Sequence, residues 1–190
     1  VKLRARTALR RLALALACLL SPHALAQEAQ PEAVPEYVLK AGFLYNFAKY
    51  VVWPADAFAS ADAPISIGVV GSDPFGPDLE RILSDKTVNN RRFEVRRYPG
   101  YADVEPVHIL FVPQTERERV VRILARVERM PVLTVGEDEA FPEGGGVVAI
   151  LIRESRPRLH INPGAAEAQQ LAIAPKLLRI ATIVTSAGSR

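Results

Sequence analysis

Short β-branched runs alternate along this chain with segments of helical period, and that order restricts the fold more than any other feature. Residues 65–70 follow Pro64 and end at Gly71, the pattern of a strand feeding a tight loop. Residues 77–83 read as a short helix. Residues 92–98 alternate apolar and charged side chains, as a strand with one wet face near a sheet edge does. Residues 107–112 are continuously apolar and read as a central strand. Thr115 and Glu118 then form a capping-box pattern ahead of a helix with Val120, Val121, Leu124 and Val127 on its inner face, stopped by Pro131. Residues 132–135 make a further strand. Residues 146–152 and 158–161 make two more, with the charged 153–156 segment turning between them as a hairpin.

At the front, residues 37–52 place Tyr37, Ala41, Leu44, Ala48 and Val51 on one helical stripe, widened by Val38, Phe47 and Val52, before Trp53-Pro54 ends the pattern. Behind the hairpin, Asn162-Pro163 begins a short alanine-rich helix. Pro175 opens a final helix whose Leu177, Leu178, Ile180, Ala181 and Val184 are expected to pack on the sheet. Parallel strands need crossover helices, so the expected class is α/β. In detail this is a three-layer sandwich with a mostly parallel, mixed sheet flanked by helices, with a C-terminal hairpin and helix. One domain over residues 37–186 accounts for the pattern. Residues 27–36, rich in Pro, Gln, Glu and Ala, read as a disordered leader.

Residues 1–26 stand apart. Lys2, Arg4, Arg6, Arg10 and Arg11 form a cationic region, residues 12–20 an apolar run, and Ala24-Leu25-Ala26 a small-x-small site, which together predict a secretory signal cleaved near Ala26. The apolar run ends at Ser21-Pro22-His23, short of the roughly 20 residues that span a bilayer. An uncleaved anchor, and lipoprotein processing at Cys18 with Ala15 in place of a large aliphatic residue, are the alternatives.

Export changes the charge. The chain has 24 Lys and Arg against 21 Asp and Glu, but five of the basic residues and none of the acidic ones lie in residues 1–26. The remainder carries 19 against 21, a formal −2. The basic surplus belongs to the signal, so nucleic acid is not an expected partner. Cys18 is the only cysteine, so the exported domain forms no disulfide and offers no thiolate nucleophile or zinc-cysteine site.

The loop Gly71-Ser-Asp-Pro-Phe-Gly76 lies between a strand and a helix, where open α/β sheets receive ligands. It matches neither G-x-G-x-x-G nor a P-loop, and turn formation, with Phe75 plugging the core, is the competing reading. Ser72 is not in a G-x-S-x-G elbow. His108 and His160 lie in strands without a His or carboxylate at ligand spacing, and read as structural or partly exposed. No metal or cofactor is expected. Gly144-Gly145-Gly146 reads as a flexible turn, and the arginines from Arg117 to Arg129 as a solvated helix face.

Several of these pieces, taken in order, resemble a family. Lys40-Ala-Gly-Phe-Leu-Tyr-Asn-Phe-Ala-Lys49 with Trp53-Pro54, then Ile67-Gly-Val-Val-Gly71 with Asp73-Pro-Phe-Gly76, are similar to the YfiR-like family. So are Arg92 before its strand, His108-Ile-Leu-Phe111, Leu133-Thr-Val135, Phe141 with Gly144-Gly145, Arg158-Leu-His-Ile-Asn162, and Lys176-Leu-Leu178 ahead of Ala181 and Ile183-Val184. The resemblance covers about residues 37–184. It implies a periplasmic α/β protein whose founding relatives repress an inner-membrane diguanylate cyclase by binding its periplasmic part, restraining cyclic-di-GMP and biofilm formation. The cysteine pairs of some relatives are missing here, so disulfide control does not carry over. Family motifs mark fold residues and give no partner surface; Phe43, Phe47, Trp53 and Phe75 are expected in the core.

The expected function is therefore a non-enzymatic regulator, forming a homodimer, that binds a membrane diguanylate cyclase or similar inner-membrane sensor. The second reading is a small-molecule-binding module with Ser72, Asp73 and Arg92 as candidate ligand contacts. A hydrolase is the third and weakest, because no nucleophile, base and oxyanion donor assemble in the sequence.

Overall fold

The computed structural model describes residues 34–154 and 156–186, so the expected signal and most of the expected leader lie outside the described residues. In chain order the elements are α1 (Glu36–Tyr50), β1 (Val51–Val52), β2 (Ile65–Val70), α2 (Asp78–Leu83), β3 (Phe93–Tyr98) and β4 (Ile109–Phe111). A 3-10 segment (Gln114–Arg119) then runs into α3 (Val120–Arg126), followed by β5 (Leu133–Gly136), α4 (Ala140–Glu143), β6 (Val148–Arg153) and β7 (Arg156–Ile161). Last come α5 (Pro163–Ala168), β8 (Ala172–Ile173), α6 (Pro175–Leu178) and β9 (Thr182–Ile183).

Seven strands form the main sheet in the order β3-β2-β4-β5-β6-β7-β9, and β1 pairs separately with β8. From β3 to β6 every pairing is parallel; β6 and β7 form the expected antiparallel hairpin, and β9 pairs parallel with β7. Side chains alternate between two apolar layers, as strand geometry dictates. Ile109 and Phe111 on β4, with Val148 and Ile150 on β6, pack against Ala41, Leu44 and Phe47 of α1 and Leu79 and Leu83 of α2. Leu110, Ala149 and Leu151 face the other way, onto Ile123 and Val127 beside α3. Each fully buried Leu, Ile or Phe contributes about 1.5–3 kcal/mol. Phe47, Phe75 and Trp53 are core residues and Phe43 packs against them partly buried.

Three local expectations are corrected. The Thr115 capping box does not form: a 3-10 segment with no side-chain cap replaces the first helical turns, and its tighter winding shifts the phase of the helix that follows. Ile123 and Val127 therefore face the sheet while Val121 is 78% exposed. The final helix is only Pro175–Leu178, after which the β-branched Thr182, Ile183 and Val184 favour extended backbone and the chain pairs with the end of β7. Leu177 is buried but Ile180 is exposed, and the two-residue β9 extends the sheet beyond the last two residues of β7. Gly146 is more than a flexible turn residue, because a Cβ there would lie 2.2 Å from the buried Phe141 ring.

Candidate functional site at the carboxyl end of the sheet

The chain leaves β2 for β3 on one side and returns for β4 on the other, so the loops after β2 and β4 diverge at their carboxyl ends. Such a switch point is where open α/β sheets bind ligands. Here Tyr37, Ser72, Asp73, Pro74, Pro113, Gln114 and Thr115 line a cleft of about 370 Å³. A neighbouring cleft of about 340 Å³ shares Tyr37 and Gln114 and extends past Lys40 and Glu137 to the end of β6.

Ser72 and Asp73 are thus brought together as expected, but Arg92 is not. In a parallel pair the residue preceding β3 lies at the amino end, and the Arg92 carbonyl accepts the Ile65 N–H there at 2.8 Å. Arg97, near the carboxyl end of β3, takes the place expected of Arg92. Its Nε donates to Asp73 Oδ2 at 2.7 Å, its Nη2 to the Gly76 carbonyl at 2.9 Å, and both terminal nitrogens bond Glu80. The Glu80 carboxyl is held below its ordinary value by these bonds. Asp73 Oδ1 accepts the Phe75 N–H at 2.8 Å, so this carboxylate closes its own loop and ties it to β3.

Gly71 is required at the same point. Its φ is +74°, and a Cβ there would lie 2.3 Å from Glu116 Oε1. Glu116, 8% exposed, is held against the glycine and accepts a 3.0 Å hydrogen bond from Arg119 Nη1.

The most buried ion pair among the described residues escaped the sequence reading. Lys40 and Glu137 form an ion pair in which each side chain is 3% exposed, and Lys40 also bonds the half-exposed Glu36 one turn earlier. Glu137 Oε2 accepts the Gln114 N–H at 2.7 Å, so one carboxylate joins α1, the β4 loop and the end of β5. Burial alone would depress the Lys40 ammonium, but its hydrogen bonds with Glu137 and Glu36 outweigh this and hold it above the usual lysine value. The ammonium lies 4.7 Å from the centre of the Tyr37 ring. Burial, with the Glu137 carboxylate nearby, raises the Tyr37 phenol. The Tyr37 ring meets Phe75 edge-on at 5.5 Å, and Phe75 meets Phe111 at 4.7 Å, so the cleft wall is continuous with the core. A signal was present: Lys40, Leu44, Phe47 and Val51 recur at helical spacing, which places the lysine on the inner stripe.

His108 is structural, as read. Its Nδ1 accepts the Ser66 N–H at 3.0 Å, its Nε2 faces the Ala57 carbonyl at 3.2 Å, and the ring stacks on Phe58 at 4.3 Å. His160 is partly exposed on β7. No group of three or more His, Cys, Asp or Glu among the described residues is arranged to hold a metal ion. At the carboxyl end the charged groups are engaged with one another, leaving Ser72, Gln114 and Thr115 as a neutral polar rim around Tyr37, an arrangement suited to binding.

A family model described as YfiR/HmsC-like matches residues 37–182. Among solved structures, a conserved domain protein from Vibrio cholerae O1 biovar El Tor str. N16961 is similar, with a TM-score of 0.54 and 13% identity. The likeness covers 79% of this chain and 60% of that one, so this chain spans less than two thirds of that structure, and it shows the fold alone. An ABC domain in complex with L-Trp from Streptococcus pneumonia has a TM-score of 0.46 and 13% identity over 63% of this chain and 55% of its own, and carries no argument. No curated protein matches.

Proposed function

The chain belongs to the YfiR/HmsC-like family, and from that premise we propose that it is a non-enzymatic periplasmic regulator. It binds, as a homodimer, the periplasmic part of an inner-membrane diguanylate cyclase and restrains cyclic-di-GMP synthesis by favouring the inactive state of that partner. The observation that carries this reading is the family match, which runs from the first turn of α1 to β9. One structural feature supports it. The ionic groups at the switch point pair with each other, which fits a fixed binding scaffold better than acid–base chemistry. No helix among the described residues is long and apolar enough to cross a membrane.

The test is reconstitution. The domain from residue 27 onward is titrated against candidate diguanylate cyclases in nanodiscs, and cyclic-di-GMP production is measured. Saturable inhibition supports the reading. Unchanged cyclic-di-GMP in cells on deletion of the protein, together with no inhibition in nanodiscs, overturns it.

The cleft around Tyr37 favours a second reading, a small-molecule-binding module in which Ser72, Gln114 and Thr115 contact a ligand. A thermal shift across a metabolite panel tests it, because a ligand bound only by the native state raises apparent stability.

A further inference from the structure

The β6–β7 hairpin sets three arginines on one face of the sheet. Its antiparallel register pairs Arg153 with Arg156 and the buried Leu151 with Arg158, and residues paired in this way point to the same side. On that side Leu151 and Ala149 meet Ile123 and Val127, so the arginines continue this layer beyond the part that α3 covers. Arg153, Arg156 and Arg158 are all exposed. Directly opposed positions have Cβ atoms about 4.5–5.5 Å apart, and positions two apart on a strand are roughly 6.8 Å apart.

Their charge is largely uncompensated. Arg153 Nη2 donates to Glu139 Oε1 at 3.2 Å, but both side chains are more than half exposed and such a pair contributes little. Arg156 and Arg158 have no acidic partner among the described residues. Elsewhere Lys40, Arg81, Arg96, Arg97 and Arg119 each pair with a carboxylate. The other arginines between Arg117 and Arg129 are interleaved with Glu118 and Glu128, whereas no acid lies in the hairpin row. Residues 27–190 carry a formal −2, so the row is a local excess against the charge of the whole. Like charges directly opposite on a sheet are destabilising, and an anionic partner removes that cost.

We propose that this face of the hairpin docks an extended acidic segment of a partner protein, whose carboxylates Arg156 and Arg158 receive in forked hydrogen bonds. Alternate residues of an extended segment lie roughly 6.8 Å apart, the spacing of these two arginines, and a guanidinium presents paired N–H donors that match a carboxylate. An anionic lipid surface fits less well. The turn carries the exposed Glu154, and no large exposed apolar side chain stands beside it to enter a bilayer. A second copy laid alongside in register brings the same arginines against each other. The proposal names a surface and the charge of its partner, and it stands whether or not that partner is a cyclase.

The experiment is fluorescence anisotropy at about 0.15 M salt, using the chain from residue 27 onward. The probes are a labelled peptide of alternating Glu and Thr and its Gln-Thr and Lys-Thr counterparts. Vesicles containing phosphatidylglycerol, and sedimentation of the protein alone, report on the other occupants. Arg156→Glu with Arg158→Glu reverses the row while Pro157 still guards the strand margin, and Arg117→Glu with Arg122→Glu makes the same charge change at exposed positions elsewhere. Saturable binding of the Glu-Thr peptide, weakened about tenfold or more by the hairpin reversal and about twofold or less by the other, supports the surface. A switch of the hairpin variant from the Glu-Thr to the Lys-Thr peptide supports it further. No binding of the Glu-Thr peptide at millimolar concentration, equal binding of the Gln-Thr peptide, or equal weakening by both reversals overturns it. So does vesicle binding without peptide binding, which assigns the face to lipid, or dissociation of a dimer by the hairpin reversal, which assigns it to a second copy.

Discussion

Replacing Lys40 by methionine keeps the length of the side chain and removes its charge. In the folded protein Glu137 would then be a carboxylate with 3% exposure, left with the Gln114 N–H and the neighbouring Tyr37 phenol as its neutral hydrogen-bonding partners. Breaking one side of a buried pair costs about 3–5 kcal/mol, because the remaining charge loses its partner without regaining water. The Glu36 contact adds little, since that carboxylate is 47% exposed and such pairs contribute about 0–1 kcal/mol. For a domain of roughly 150 residues each kcal/mol lowers Tm by about 2–4 °C, so the expected loss is roughly 6–20 °C. Trp53 is the only tryptophan and is buried, which makes its fluorescence a direct report of urea unfolding. The double variant Lys40→Met with Glu137→Gln retains an acceptor for the Gln114 N–H and removes the orphan charge. It should be more stable than Lys40→Met alone, with a coupling of about 1–3 kcal/mol. A loss below 1 kcal/mol in the single variant, or a double variant no more stable than the single, would refute the reasoning.

Two other outcomes are expected. Burial, only partly offset by the Ala57 carbonyl and reinforced by the Arg91 and Arg96 charges, holds His108 below the ordinary histidine value, so the unfolded chain binds its proton more readily than the folded one. That contribution is complete above about pH 6.5 and declines as pH falls below it; urea midpoints at pH 7.5 and 5.5 should separate more for the natural chain than for His108→Gln, and equal separations would count against it. Arg97→Ala should cost about 1 kcal/mol, discounted because the side chain is 39% exposed, and should speed hydrogen exchange in residues 72–80, whereas Arg92→Ala at the opposite strand end should leave that exchange unchanged.

The sheet was legible where one physical signal acted alone. Residues 65–70 and 107–112 have no polar alternative to the interior, and the hairpin is announced by its charged turn. Ile180 and Val121 misled because an apolar side chain at helical spacing is evidence of burial only if the helix persists, and at both places another backbone form intervened. The candidate site was half legible. Ser72 and Asp73 follow from the position of their loop, but choosing Arg97 over Arg92 requires the direction of the pairing with β2, which becomes fixed only when β3 docks. Lys40 went unrecognised because lysine on a helix is normally solvated, and its partner Glu137 lies 97 residues away.

The two-residue β9 covers only His160 and Ile161, which leaves the start of β7 as an open margin. That margin reads Arg156-Pro157-Arg158, with all three residues exposed. Proline presents no N–H to an incoming strand, and the flanking guanidinium groups repel another copy laid alongside in register. At the far margin, β3 carries Glu94, Arg96 and Arg97 within six residues. Templated growth of the sheet into fibrillar aggregates is thus opposed at both ends. Substituting Pro157 and its two arginines would convert a protected border into an adhesive one, with precipitation as the result even if folding stability were unchanged.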